Sequence, residues 1–211
     1  MKRYGQRCPA ARALDVVGER WTPLVVRELL LGPKRFTDLL DGLPGIGTNI
    51  LTSRLDHLQN HGVVAKHQLP RPTPVVVYEL TEAGRALAPV LRELRNWGER
   101  YGQPPRSGDV ARAGWILQSA AGRNPLSLPP HQPCELRVGQ EVFSLVRGDE
   151  HIEITTGAAA APDAVVTIEP QLFFRLAAGT VGVTDASRQI DTAGNRHLGK
   201  RVLTMVAGAA S

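Results

Sequence analysis

Cysteine is scarce in this chain of 211 residues, where Cys8 and Cys134 stand alone and far apart. Two such thiols build no disulfide framework, and a reducing cytoplasm is the expected compartment. Metal-ligand spacing is missing as well, since His131 and Cys134 have no further ligands near them. No metal and no cofactor are expected. No apolar run approaches the roughly 20 residues that cross a bilayer, and the opening Met1-Lys2-Arg3-Tyr4-Gly5-Gln6-Arg7 is not followed by the apolar segment of a secretory leader. Enzyme signatures fail too. Ser144, Asp149 and His151 lie close together, but in an alternating strand pattern without a strained nucleophile turn. Asp149-Glu150 reads as a hairpin turn rather than an acid–base pair, so the chain is expected not to be an enzyme.

A surplus of charge is absent from half of the chain. Residues 104–211 carry ten basic and ten acidic side chains, whereas residues 1–103 carry 15 Lys and Arg against 10 Asp and Glu. The whole formal excess of +5 therefore belongs to the first half, which points to a polyanionic partner there rather than across the chain.

The stretch that says most about function is residues 44–62. Thr48 can cap a helix whose apolar positions Leu51, Leu55 and Leu58 share one side, and Gly62 closes it. At 100° per residue, Asn49, Ser53, Asp56 and Asn60 fall on the opposite side. That outer face is uncharged in its N-terminal half and rich in amide and hydroxyl groups, which can hydrogen-bond base edges and phosphates. A short helix precedes it and a β-ribbon follows, the layout of a winged helix-turn-helix with double-stranded DNA as its partner.

The rest of the first half reads as mostly helical. Helices are expected over 9–19, starting at Pro9, over 23–31, stopped by Gly32-Pro33, and over 36–43, ended by Pro44-Gly45. Val63 to Gln68 and Val75 to Leu80 form β-rich runs around the proline-rich Leu69 to Pro74, hence a hairpin with a protruding tip. Thr81 then caps a helix reaching Gly102, with Leu87, Val90, Leu91, Leu94, Trp97 and Tyr101 along one stripe. That stripe is longer and more aromatic than a small domain needs for its own core. Gln103 to Asp109 is a linker by composition. Beyond it the pattern becomes α+β: a helix over 110–121, strands over 134–138, 141–147, 151–156 and 165–169, a helix over 170–178, a short strand over 188–192 and a final helix over 195–207.

Cys8-Pro9, Ala13 to Gly18, Arg20-Trp21-Thr22, Arg27-Glu28-Leu29, Gly32-Pro33, Arg35-Phe36 and Leu43 to Ile46 closely resemble the HxlR family of bacterial transcriptional regulators. Leu51, Arg54-Leu55, Leu58, Gly62-Val63, Val77 to Thr81, Gly84 and Trp97 fit the same pattern, over residues 5–100. The resemblance implies a dimeric winged helix related to the MarR group. Carried over, it puts Asn49 to Arg54, with Thr52 and Ser53 between them, in the major groove, and the hairpin tip around Arg71 on a phosphate or in the minor groove. Thr48 serves either as a DNA contact or as a plain cap, and Arg54 either as a phosphate contact or as a salt-bridged arginine. Dimerisation is assigned to Leu14 of the first helix and to the stripe from Leu87 to Tyr101. Cys8 reads as a thiol sensor, as in some members, or as a packed residue at the dimer contact; the packed reading is preferred.

In the second half, Asp163 to Ile168, Pro170, Leu172-Phe173, Leu176 to Gly179 and Gly194-Asn195 are similar to sterol-carrier-protein-like domains, which enclose an apolar ligand. Phe143, Leu145, Ile152, Ile154, Phe173 and Phe174 either line such a pocket or fill a core. The expected architecture is therefore α+β: an N-terminal winged helix-turn-helix domain over 1–102, a linker over 103–109 and a small sterol-carrier-protein-like domain over 110–211. The expected function is a cytoplasmic, dimeric DNA-binding transcriptional regulator on a palindromic operator, modulated by an apolar small-molecule effector. The alternatives are a lipid or small-molecule carrier that uses the winged helix for dimerisation or protein contact, and an enzyme accessory domain fused to a regulator.

Overall fold

A computed structural model of the chain describes residues 3–69 and 75–207. It divides into two compact units, Met1–Gln103 and Pro104–Ser211.

The first unit runs α1 (Pro9–Val17), α2 (Thr22–Leu29), α3 (Phe36–Gly42), α4 (Thr48–Asn60), β1 (Val64–Leu69), β2 (Val75–Leu80), α5 (Glu82–Arg85) and α6 (Ala88–Tyr101). Its core gathers Val25, Val26 and Leu29 of α2, Leu39 of α3, Leu51, Leu55 and Leu58 of α4, and Val64, Tyr78 and Leu80 of the hairpin. The amphipathic spacing of each helix thus turns one stripe inward. β1 and β2 pair antiparallel from Val64↔Leu80 to Leu69↔Val75. A bridge between Lys34 and Tyr78 ties the α2–α3 connection to β2 through two backbone bonds of 3.0 and 2.8 Å.

Two local expectations need correction. Gly47, extended at φ −83° and ψ 151°, occupies the N-cap of α4, and no side chain caps that helix; Thr48 already sits inside the first turn. The expected single helix over 82–102 is also broken. Thr81 does cap α5, its Oγ1 accepting from the Gly84 amide at 3.2 Å, but that helix ends at Arg85 and α6 starts at Ala88. Pro89 is the cause: it has no amide hydrogen to give the Arg85 carbonyl, and its ring clashes with an uninterrupted helix there.

The second unit runs α7 (Ala113–Arg123), β3 (Cys134–Val138), β4 (Glu141–Arg147), β5 (Ile152–Thr156), β6 (Ala164–Ile168), α8 (Pro170–Ala177), α9 (Val183–Ala186), β7 (Asp191–Gly194) and α10 (Arg196–Ala207). The five strands are ordered β5-β4-β3-β6-β7. β3 pairs antiparallel with β4 and parallel with β6. Gly139, with φ +59°, opens the two-residue turn between β3 and β4, a position that favours glycine. Alternation along the strands turns Cys134, Leu136, Val138, Phe143, Leu145, Ile152, Ile154, Ala164, Val166 and Ile168 to one buried face. Helices α7, α8 and α10 pack against one another, and α7 and α10 also reach the sheet. Asn195 caps α10, its Oδ1 accepting from the His197 and Leu198 amides at 3.1 Å. The last strand falls over 191–194 rather than 188–192, and the short α9 carries too few residues to show a period in the sequence.

Candidate nucleic-acid interface

Helix α4 is held by its apolar stripe, with Leu51, Leu55 and Leu58 each no more than 1% exposed. Two polar contacts pin its flanks. Arg54 Nη1 lies 3.4 Å from Glu19 Oε2 in the α1–α2 connection. His57 Nε2 lies 3.1 Å from the carbonyl oxygen of Val16, in the last turn of α1. Partial burial, and then the nearby His61, lower the His57 pKa below its ordinary 6.5, so the ring is held neutral near pH 7 and its neutral form still donates to that carbonyl.

Pinned in this way, α4 turns Thr48, Asn49, Thr52, Ser53, Asp56 and Asn60 to solvent. Asn49, Thr52, Ser53, Asp56, His57 and Asn60 line a shallow polar groove along it. Thr52 gives its hydroxyl proton to the Thr48 carbonyl at 2.9 Å, which keeps it close to the helix. The amide of Asn49 and the hydroxyl of Ser53 have the donor and acceptor chemistry that reads base edges. Ile50, 44% exposed at the start of the same helix, was missed because an apolar residue off the buried stripe carries no polar signal. Its methyl groups suit a thymine methyl.

Arg54 departs from its carried-over role. Its side chain is only 15% exposed and paired with Glu19, so it braces α4 against the preceding connection instead of projecting from the outer face. Arg71, expected at the hairpin tip, lies outside the described residues.

The stripe expected to form a dimer contact divides in two. Leu87 and Leu91 pack against the core of their own unit. Val90, Leu94, Trp97 and Tyr101 are 54–59% exposed, and Leu14 of α1 is 49% exposed. Trp97 and Tyr101 lie side by side, with ring centroids 5.9 Å apart. Cys8 is exposed at the N-cap of α1, where its carbonyl accepts from the Arg12 amide at 3.1 Å. Within this unit, then, Cys8 is not packed. Cys134 is the opposite case: burial, and then Glu135, push its thiol up to about 12, so it stays protonated and unreactive.

The expected apolar pocket in the second unit also needs correction. Phe143, Leu145 and Phe173 are at most 1% exposed and Ile152 and Ile154 are 7% exposed. These five fill the layer between sheet and helices: alternation turns Phe143, Leu145, Ile152 and Ile154 to the covered face, and Phe173 meets them from α8. Only Phe174, half-buried, borders an open groove, and that groove runs along α7 and α8 instead. Among the described residues no group of His, Cys, Asp and Glu is placed to hold a metal ion, and no helix is long and apolar enough to cross a membrane.

A family model for the HxlR-like helix-turn-helix matches residues 16–106, a span that includes α2 to α6. The chain is 40% identical over 97 residues to the uncharacterized HTH-type transcriptional regulator sll1512 of Synechocystis sp., covering 46% of this chain and 72% of that protein. It is 35% identical over 100 residues to the uncharacterized HTH-type transcriptional regulator YvaP of Bacillus subtilis, covering 47% of this chain and 93% of that protein. A solved structure of the reduced form of the transcriptional regulator YodB from B. subtilis aligns at 33% identity over 48% of this chain and 100% of its own, with a TM-score of 0.43. These relatives are transcriptional regulators and not enzymes, and the chain belongs to the HxlR-like helix-turn-helix family of DNA-binding transcriptional regulators.

Proposed function

We propose that the protein acts in the cytoplasm as a dimer on a palindromic operator, with α4 reading the major groove through Asn49 and Ser53. The observation that carries this reading is the exposed surface of α4: seven exposed side chains, five of them uncharged amides or hydroxyls, on a helix fixed by its leucines and by Glu19 and Val16. Thr48 and Thr52 supply hydroxyls on the same face and Arg71 a charge at the hairpin tip, suited to positioning on phosphates. The exposed Leu14, Val90, Leu94, Trp97 and Tyr101 serve as the dimer contact, since a second copy would cover apolar area that a lone unit leaves in water. The second unit is proposed as a sterol-carrier-protein-like sensor of a small molecule whose apolar part would lie on the groove bordered by Phe174 rather than among the core residues.

Selection of sites from a pool of genomic fragments would supply the operator. On it, Asn49→Ala and Ser53→Ala should change the ranking of single-base operator variants by about 1–3 kcal/mol wherever the lost contact reaches a base edge. Equal losses on operator and random DNA would assign both residues to backbone positioning. Unaltered binding by the double variant would remove this face from the interface.

A further inference from the structure

We propose that the groove along α7 and α8 is a binding site for an aromatic carboxylate. The groove has a volume of about 540 Å³ and is bordered by Arg112, Trp115, Ile116, Ser119 and Arg123 from α7 and its N-cap, and by Phe174, Ala177 and Ala178 at the end of α8. Small-molecule sites span roughly 300–1,000 Å³. The five positions on α7 fall at steps of three, one, three and four residues, one continuous side of a helix. The other side of α7, through Ala113, Leu117, Ala120 and Ala121, already supplies its share of the core. Trp115 and Ile116 are therefore apolar residues on the side of the helix that the fold does not require.

Aromatic side chains are few, at 5% of the sequence, with three tryptophans, three tyrosines and four phenylalanines. Two of those ten rings border this one groove, each half-buried. Phe174 is steadied edge-on by Phe173, with ring centroids 5.6 Å apart. Ser119, Ala177 and Ala178 are small and leave room between the walls. Flat, polarizable walls suit a planar ring, by offset or edge-on stacking. The charged residues on the groove are both arginines, and no Asp or Glu borders it among the described residues. Arg112 holds its guanidinium 5.9 Å from the Trp115 ring centroid, so it extends the aromatic wall with positive charge. Arg123 borders the groove at the other end of the same side of α7, so a carboxylate held against the rings would gain a charge-assisted contact there. An aliphatic acid would use the charge but not the rings, and a neutral aromatic the rings but not the charge.

Regulation of operator binding by this ligand rests on the reading of the preceding subsection; occupancy of the groove does not. Calorimetric titration of the full chain with 2-naphthoate should give one site per chain and quench tryptophan emission. Binding of 2-naphthamide and of dodecanoate should each be at least ten-fold weaker. Arg123→Gln should erase the preference for the acid over the amide, and Ser119→Phe, which fills the groove from one wall, should abolish binding while the thermal unfolding curve stays cooperative. Arg112→Gln repeats the charge test if Arg123→Gln unfolds. No binding of 2-naphthoate, an equal affinity for the amide, tighter binding of dodecanoate, or binding that survives Ser119→Phe would each overturn the assignment. Operator titration with and without saturating 2-naphthoate is the separate arm: unchanged operator affinity alongside intact binding leaves the site standing and removes its regulatory role.

Discussion

The two units solve the same packing problem to different degrees. In the second, amphipathic helices meet a sheet of matching apolar face: α10 buries Leu198, Val202, Leu203, Met205 and Val206, and α8 buries Leu172, Phe173 and Leu176. In the first, α6 is also amphipathic, yet no residue of its 14 is fully buried and its largest apolar side chains face outward. A single copy of the second unit covers the apolar faces of α8 and α10, whereas a single copy of the first leaves that of α6 largely in water. Hydrophobic periodicity read from a sequence says that a face will be covered, but not whether the cover comes from the same chain.

Truncating one side chain in each region is the sharpest way to break that contrast. Leu136→Ala, in the middle of β3 and 0% exposed, should cost the second unit about 2–5 kcal/mol, as large-to-small changes in a filled core do; urea unfolding followed by circular dichroism reads it. Leu94→Ala should leave the unfolding of a chain held monomeric by dilution within about 0.5 kcal/mol of the parent. It should instead weaken self-association, seen as a mass shift in light scattering at fixed concentration. A large loss of monomer stability would show that α6 is covered from within.

A smaller effect separates the units by pH. With its pKa below 6.5 in the folded chain, His57 binds less proton when folded than when unfolded. Its contribution is therefore fully present above about pH 6.5, falls as pH drops toward the folded pKa, and is level below that. His57→Gln, able to keep a bond to the Val16 carbonyl, should flatten the acid limb of unfolding of the first unit and leave that of the second unchanged. An acid limb identical to the parent's would mean that the ring titrates as it does in the unfolded chain.

Much of the fold was legible, because it rests on local signals. The leucine spacing of α4, the proline-rich interval between two β-rich runs and the alternation in β3 to β6 each specify an element within a dozen residues. What escaped depends on partners far away in sequence. Arg54 falls on the flank of the leucine stripe, where spacing alone allows solvent or an acid, and Glu19 decides between them across 35 positions. Gly47 and Thr48 are both acceptable caps, and the neighbouring turn, not composition, settles which is used. Phe143 and Phe174 look alike as sequence. One points into a closed layer and the other onto a groove whose existence depends on how α7 and α8 meet. On α4 itself, the outward positions Asn49, Ser53, Asp56 and Asn60 follow from angular arithmetic alone, whereas the exposure of Ile50 does not.

The parallel pairing of β3 with β6 has a consequence for how the protein comes into being. Cys134 aligns with Ala164, thirty residues on, and the pair sits inside the sheet with β4 and β7 on either side. The β3-β4-β5 meander can close from neighbouring turns, but β6 must wait for a loop of that length to be ordered, and non-local pairings of this kind are slow to form. Within the second unit, the docking of β6 beside β3 is therefore expected to follow the meander, and it is the step on which closure of the five-stranded sheet depends.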